Sequence, residues 1–334
     1  MTEQQSAPTE KQLSEESASI AGFGLRRYKL GGKTPLQYYI LKFLSFFMCL
    51  MPHKFLLFIG KILGILYFQL IAKERKRAIL QMRASLGNGE TEAAELVRQS
   101  FINMGKAFVE ILYMPRLNKD NINYFVDPEG IEKLREALRE EHGVVVLTGH
   151  VGNWEWMAAS LAFNGIPTTT IVKPQPNAQH TRILNEYREM VGVEVFARGT
   201  SELLAAARAL KKGKILGFLA DQDAGPGGAF IDFFGRPAST PLGPAVFARK
   251  FLSPVVPLFI VRCENGRHRL IVGDIMRYEN TGDTDADLLR FTVKMTKFVE
   301  NVIRENPTQW LWFQKRWNTA SDEKKIKHHV SGRR

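Results

Sequence analysis

Residues 143–163 read GVVVLTGHVGNWEWMAASLAF. The short apolar run at 144–147 predicts a buried strand, and over 153–163 the apolar residues return at helical spacing. A strand running through a short glycine-bearing turn into a helix is the repeating unit of α/β proteins. The same alternation continues on both sides. Strand-like runs recur at 168–172, 215–219 and 255–261, with 270–272 as an edge strand. Helical periodicity covers 178–191, 202–210 and 242–251, and a further helix runs from 92 to about 117. The order predicts an α/β domain built on a largely parallel sheet flanked by helices. No repeat of 20 to 50 residues is present.

At 334 residues, 45% hydrophobic and 24% charged, the chain is large enough to bury a core without disulfides. Its composition excludes a collagenous, a wholly disordered and a polytopic membrane protein. The net charge of +12 favours an anionic partner, whether nucleic acid, an anionic membrane face or an acidic carrier. Cys49 and Cys263 are the two cysteines. They supply neither a disulfide framework nor a cysteine zinc site, and a reducing compartment fits them best.

The first 34 residues have no sustained apolar period and are acidic and polar over about the first twenty, and they read as a disordered tail rather than a signal peptide. Gly31-Gly32-Lys33-Thr34 resembles the end of a phosphate-binding loop, but Arg27 stands where that motif needs glycine. Residues 36–72 are strongly apolar, with Lys42, Lys54 and Lys61 the only charged interruptions, and Pro52-His53-Lys54 divides them in two. The second half approaches the roughly 20 residues that cross a hydrocarbon core. Lys61 and Gln69 count against a clean span, leaving open a single span, a hairpin in the interface or a buried core helix. The cluster Lys73, Arg75, Lys76, Arg77 and Arg83 follows at once, which places the rest of the chain on the cytoplasmic side.

His150 lies in the loop between strand and helix, where ligand sites of open α/β sheets gather. Asn153 is placed to cap the helix and Glu155 to sit in its first turn. Glu155 could hold one ring nitrogen of His150 while the other takes a proton from a hydroxyl, the division of labour of a general base. The same spacing also suits a loop histidine beside an unrelated glutamate. Metal chemistry is disfavoured because HExxH spacing and a cysteine cluster are lacking, and His328 and His329 read as solvated. A serine hydrolase is disfavoured because no G-x-S-x-G elbow occurs.

His150 and Glu155, in H-x4-E form within GHVGNWEW, resemble the H-x4-D/E signature of glycerolipid acyltransferases, and the wording is similar to the late acyltransferases of lipid A biosynthesis. Further blocks resemble that family: Lys173-Pro174 with Asn177; Asn185, Arg188 and Gly192; Arg198-Gly199; Asp221-Gln222-Asp223 with Gly225; Phe233-Phe234-Gly235 with Ala238, Thr240 and Gly243; and Gln309-Trp310-Leu311-Trp312 with Arg316-Trp317. The resemblance covers roughly residues 36–317. It implies a glycerol-3-phosphate acyltransferase-like fold with an N-terminal membrane-anchoring helix or hairpin. The divisions are a disordered tail (1–34), a membrane anchor (35–75), the α/β acyltransferase domain (76–317) and a basic tail (318–334).

The activity it implies is transfer of an acyl chain from an acyl carrier protein thioester to a hydroxyl of a lipid A precursor, at the cytoplasmic face of a bacterial inner membrane. No cofactor, metal or acyl-enzyme is implied. His150 would be the base and Glu155 its orienting partner, with backbone N–H groups near Gly149 and Gly152 facing the oxyanion. Arg188 would bind a phosphate of the glycolipid or of phosphopantetheine. Asp221 would orient Arg188 or nearby backbone, with Asp223 beside it, though both also suit the turn before Gly225. Phe233, Phe234, Gly235 and Thr240 would shape the acyl site, Gly235 by allowing close backbone approach. Trp310, Trp312 and Trp317 read first as packing or interfacial anchors. The basic tail would meet anionic lipid or the acidic carrier, and no nucleic-acid motif is present. Acylation of another glycolipid, such as a phosphatidylinositol mannoside, or of an aminolipid, and a non-catalytic lipid-binding role are the alternatives.

Overall fold

A computed structural model describes residues 36–172, 177–197 and 200–320. The polar tail, most of the basic tail with His328 and His329, and the motif positions Lys173, Pro174, Arg198 and Gly199 lie outside the described residues.

The helices in chain order are α1 (Leu36–Leu50), α2 (His53–Leu70), α3 (Ala72–Leu86), α4 (Glu90–Tyr113), α5 (Ile122–Phe125), α6 (Glu132–Leu138), α7 (Trp154–Phe163), α8 (Ala178–Met190), α9 (Thr200–Lys211), α10 (Gly243–Phe251) and α11 (Thr284–Glu305). The strands are β1 (Val126–Asp127), β2 (Val144–Thr148), β3 (Thr168–Val172), β4 (Glu194–Ala197), β5 (Ile215–Leu219), β6 (Ala229–Phe233), β7 (Arg236–Thr240), β8 (Val255–Arg262) and β9 (His268–Val272).

Seven strands form one sheet in the order β1-β9-β8-β2-β5-β3-β4. All neighbours are parallel except β8 and β9. Every residue of β2 is buried, as expected for a central parallel strand covered on both faces. One face carries a core including Trp156, Met157, Ile183 and Tyr187 from α7 and α8. The other carries Ala206, Ala245, Phe291 and Met295 from α9, α10 and α11. The α/β expectation therefore stands. The strand expected at the edge is interior instead, because two-residue β1 pairs with the far side of β9. The β6–β7 hairpin is a separate antiparallel pair, which short segments full of phenylalanine, proline and glycine did not reveal.

The N-terminal helices pack onto α4. Gly60 and Gly64 of α2 meet Gly105 of α4 so closely that a Cβ on Gly60 would lie 2.6 Å from the Lys106 Cα, and one on Gly64 2.6 Å from the Ile102 Cα. Only glycine permits this backbone approach. α1 is held by Ser45, whose hydroxyl donates to the Leu112 carbonyl at 2.5 Å, and by Tyr38, whose hydroxyl donates to Glu186 on α8 at 2.8 Å. The outward faces of both helices stay apolar and exposed, Phe43, Phe46, Phe58 and Leu66 among them.

Candidate active site

β2 and β5 are direct parallel neighbours, with Thr148 opposite Leu219. Two residues beyond each strand end stand His150 and Asp221, so the register sets them side by side. Asp221 Oδ1 accepts from His150 Nδ1 at 2.8 Å, and Oδ2 accepts the His150 backbone N–H at 2.8 Å. Oδ2 also accepts from the Trp310 indole Nε1 at 2.7 Å. Asp221 is 1% exposed. Burial by itself would raise its carboxyl, but its electrostatic interaction with His150 and these hydrogen bonds outweigh burial and hold it well below the usual carboxylate range. With Nδ1 donating to the carboxylate, the imidazole carries its lone pair on Nε2, which faces Gln222 Nε2 at 3.3 Å. The ring also meets Trp154 edge-on at 4.8 Å.

The loop is shaped by a few backbone contacts. Gly152 has φ +61°, and a Cβ there would strike the Ile260 carbonyl oxygen. Its N–H donates to the Gln309 carbonyl at 2.9 Å, so Gly152 offers no free donor to an oxyanion, against expectation. Asn153 caps α7 as expected, its side-chain oxygen accepting from Trp156 N at 3.1 Å.

Glu155 is not the group that orients His150. From the first turn of α7 its carboxylate reaches α8, where Oε2 accepts from Arg188 Nε at 2.7 Å and Oε1 pairs with Arg188 Nη2. Trp154 Nε1 donates to Oε1 at 3.1 Å. Arg188 Nη1 donates to Asn185 at 3.0 Å. The expected phosphate-binding arginine is thus engaged with protein groups, and the Glu155–Arg188 pair clamps α7 to α8. Asp221 serves His150 and not Arg188, because the β2–β5 register brings its carboxylate to the ring.

Asp223 accepts from Thr319 Oγ1 at 2.8 Å and from the Gly225 backbone at 3.2 Å, tying the C-terminal segment to the turn after β5. Thr240 Oγ1 accepts from Arg316 Nη2 at 2.7 Å. Burial pulls that guanidinium down to about 10. Beside it a small cavity is lined by Leu147, Ala220, Phe233, Thr240, Met295 and Arg316. Phe233 and Phe234 are buried, and the Phe234 backbone N–H donates to Glu300 at 2.8 Å. Gly235 makes no close backbone approach. It occupies the exposed β6–β7 turn with φ +74° and open space where a Cβ would stand, so its conformation alone calls for glycine.

Two contributors have roles that the sequence did not reveal. Trp310 reads as a packing aromatic, and its role as a donor to Asp221 depends on the Val151–Trp310 bridge that folds the C-terminal segment over the loop. Glu110, in the last turn of α4, is fully buried and holds Arg262 Nη1 and Nη2 at 2.5 and 2.6 Å, His268 Nε2 at 3.2 Å, His53 Nε2 at 3.1 Å and Asn153 Nδ2 at 2.9 Å. Burial opposes its ionisation, but Arg262 and His268 keep its carboxyl well below the usual value. It supports the α7 cap from beneath. Among the described residues no group of three or more His, Cys, Asp or Glu is placed to hold a metal ion.

The family model described as "Bacterial lipid A biosynthesis acyltransferase" matches residues 33–319. A phosphatidylinositol mannoside acyltransferase of Mycolicibacterium smegmatis is 27% identical over 244 residues, covering 70% of this chain and 76% of that protein. The lipid A biosynthesis palmitoleoyltransferase of Escherichia coli K12 is 23% identical over 273 residues, covering 80% and 87%. The lipid A biosynthesis myristoyltransferase of the same organism is 24% identical over 243 residues, covering 72% and 74%.

Proposed function

This chain belongs to the bacterial lipid A biosynthesis acyltransferase family, and on that premise we propose that it transfers a fatty acyl chain from an acyl carrier protein thioester to a hydroxyl of a lipid A precursor. It works at the cytoplasmic face of a bacterial inner membrane. The observation that carries the reading is the His150–Asp221 pair, set at the ends of adjacent parallel strands with Nε2 turned away from the carboxylate.

In the proposed reaction His150 Nε2 takes the proton of the acceptor hydroxyl as its oxygen attacks the thioester carbonyl. Asp221 fixes the ring and stabilises the imidazolium that forms. The tetrahedral intermediate collapses with cleavage of the C–S bond, and the imidazolium returns its proton to the leaving thiolate. Direct attack leaves no acyl group on the protein. Glu155 and Arg188 contribute by fixing α7 against α8, which sets the loop that carries His150.

The phosphatidylinositol mannoside acyltransferase relative favours a second reading, a mannoside acceptor used by the same pair. Mass spectrometry of a lipid A precursor and, in a parallel reaction, of a phosphatidylinositol mannoside, each incubated with acyl carrier protein thioesters and this enzyme, tests the proposal, with His150→Ala alongside. A mass gain of one acyl group that requires His150 is the expected result. Gain only on the mannoside would transfer the reading to that acceptor, and binding without product on either would leave a lipid-binding protein.

A further inference from the structure

We infer that the outward faces of α1 and α2 dock in one leaflet of an anionic bilayer, lying along the surface without crossing it. The inference deepens the proposed function and rests on its reading of a lipid acceptor.

α2 is the one helix among the described residues long and apolar enough to cross a membrane. Its 18 residues make about 27 Å, close to the hydrocarbon thickness of roughly 30 Å. Length therefore permits a span, and packing decides against it. α2 lies lengthwise and antiparallel on α4. His53 meets Glu110 at one end, Gly60 and Gly64 meet Gly105 in the middle, and the Tyr67 ring lies 5.4 Å from that of Phe101 at the other end. α4 is in turn built into the α/β domain, Asn103 donating to the Thr308 carbonyl at 2.9 Å and Ser100 to that of Trp310 at 2.6 Å. A transmembrane α2 would drag Asn103, Lys106 and the C-terminal segment bonded to α4 to hydrocarbon depth, where polar groups have no water.

α1 is bound on its inner side too. Tyr38 and Lys42 both reach Glu186 of α8, at 2.8 and 2.9 Å. Neither helix is free to swing away from the domain into a spanning position.

The outward face has the chemistry of a half-immersed surface. On α2, Phe55, Phe58, Ile62, Leu66 and Leu70 form a stripe at helical spacing, each at least 41% exposed. On α1 the exposed row includes Tyr39, Phe43 and Phe46. Lys61 is exposed at the middle of α2, where a span would place it at the bilayer centre. In a helix lying flat it reaches sideways to the headgroups. Lys54 and, on α3, Lys73 and Lys76 are exposed as well, while α2 has no acidic residue. That sign of charge selects an anionic lipid surface over a second, equally basic copy of the chain.

The test uses the full chain with Cys49→Ser and Cys263→Ser, carrying one spin-labelled cysteine at a time from Phe55→Cys, Ile62→Cys or Leu70→Cys. Label depth is read from collisions with oxygen and with a water-soluble nickel chelate, in vesicles of phosphatidylglycerol and phosphatidylethanolamine. All three labels are expected at one shared shallow depth, and replacing phosphatidylglycerol by phosphatidylcholine should weaken vesicle binding at least tenfold. A deepest label at residue 62, with 55 and 70 near opposite faces, would establish a span and overturn the inference. Labels that stay open to nickel on bound vesicles, or that are shielded before vesicles are added, would overturn it in favour of another lipid surface or a second copy. Acyl transfer assayed in the same vesicles separates the two readings: shallow labels without transfer uphold the docking and count against the acceptor, and transfer with a span profile does the reverse.

Discussion

The Asp221 carboxylate grips His150 twice, taking the ring Nδ1 on one oxygen and the backbone N–H on the other, each at 2.8 Å. One side chain thereby sets the position of the loop and the tautomer of the ring. In Asp221→Asn the amide can keep the shape but loses the charge that stabilises the imidazolium and can leave the ring in the wrong tautomer. Transfer is expected to fall by about 10³- to 10⁴-fold with the fold preserved, as read by turnover and circular dichroism on the same sample.

Glu155→Gln acts on a different quantity. It removes the charge that faces Arg188 between α7 and α8, so a loss of about 2–4 kcal/mol in unfolding free energy is expected. Residual turnover in the folded fraction should exceed that of Asp221→Asn. A Glu155→Gln protein of wild-type stability that had lost all turnover would return Glu155 to the chemistry.

Trp310→Phe keeps an aromatic ring packed against Trp312 and Phe233 but deletes the donor to Asp221. A hydrogen bond to a charged acceptor contributes about 1.5–3 kcal/mol, so a fall in kcat of roughly 10- to 100-fold is expected if much of it acts in the transition state. Steady-state kinetics with an unchanged acceptor KM would bear this out.

Stability should fall on the acid side. Asp221 and Glu110 both have carboxyls held below their unfolded values of about 4, so their stabilisation is complete above that pH and is lost as pH falls through the folded values. Urea midpoints taken from pH 6 down to about 3 should decline more steeply for the wild type than for Asp221→Asn, which has lost one of the two groups.

Gly152→Ala forces a Cβ onto the Ile260 carbonyl at a positive φ. The loop must shift, and loss of both transfer and more than about 1 kcal/mol of stability is expected by denaturant unfolding. Gly235→Ala, where φ is also positive but space is open, should cost stability while sparing turnover.

The residues around 143–163 carried the local structure because a continuous apolar run marks a strand buried on both faces and a period of 3.6 marks a helix, and a short window contains both. The alternation of such windows led to the parallel α/β sheet, and the turn between β2 and α7 to His150. Edge strand β4 and the β6–β7 hairpin escaped because short, poorly periodic segments owe their pairing to neighbours.

The same window misdirected the choice of partner for His150. It contains a carboxylate five residues away and cannot contain Asp221, which stands 71 residues further on. Glu155 is carried by its helix toward Arg188, while β5 sits beside β2 and the intervening β3 and β4 lie beyond it. The amino-acid sequence by itself thus determined the central strands and the helices that alternate with them, the apolar N-terminal faces and the histidine. Which carboxylate meets that histidine, which aromatic steadies it and how α2 lies on α4 were decided only by tertiary structure, because strand order and helix packing come from the burial of the whole chain at once.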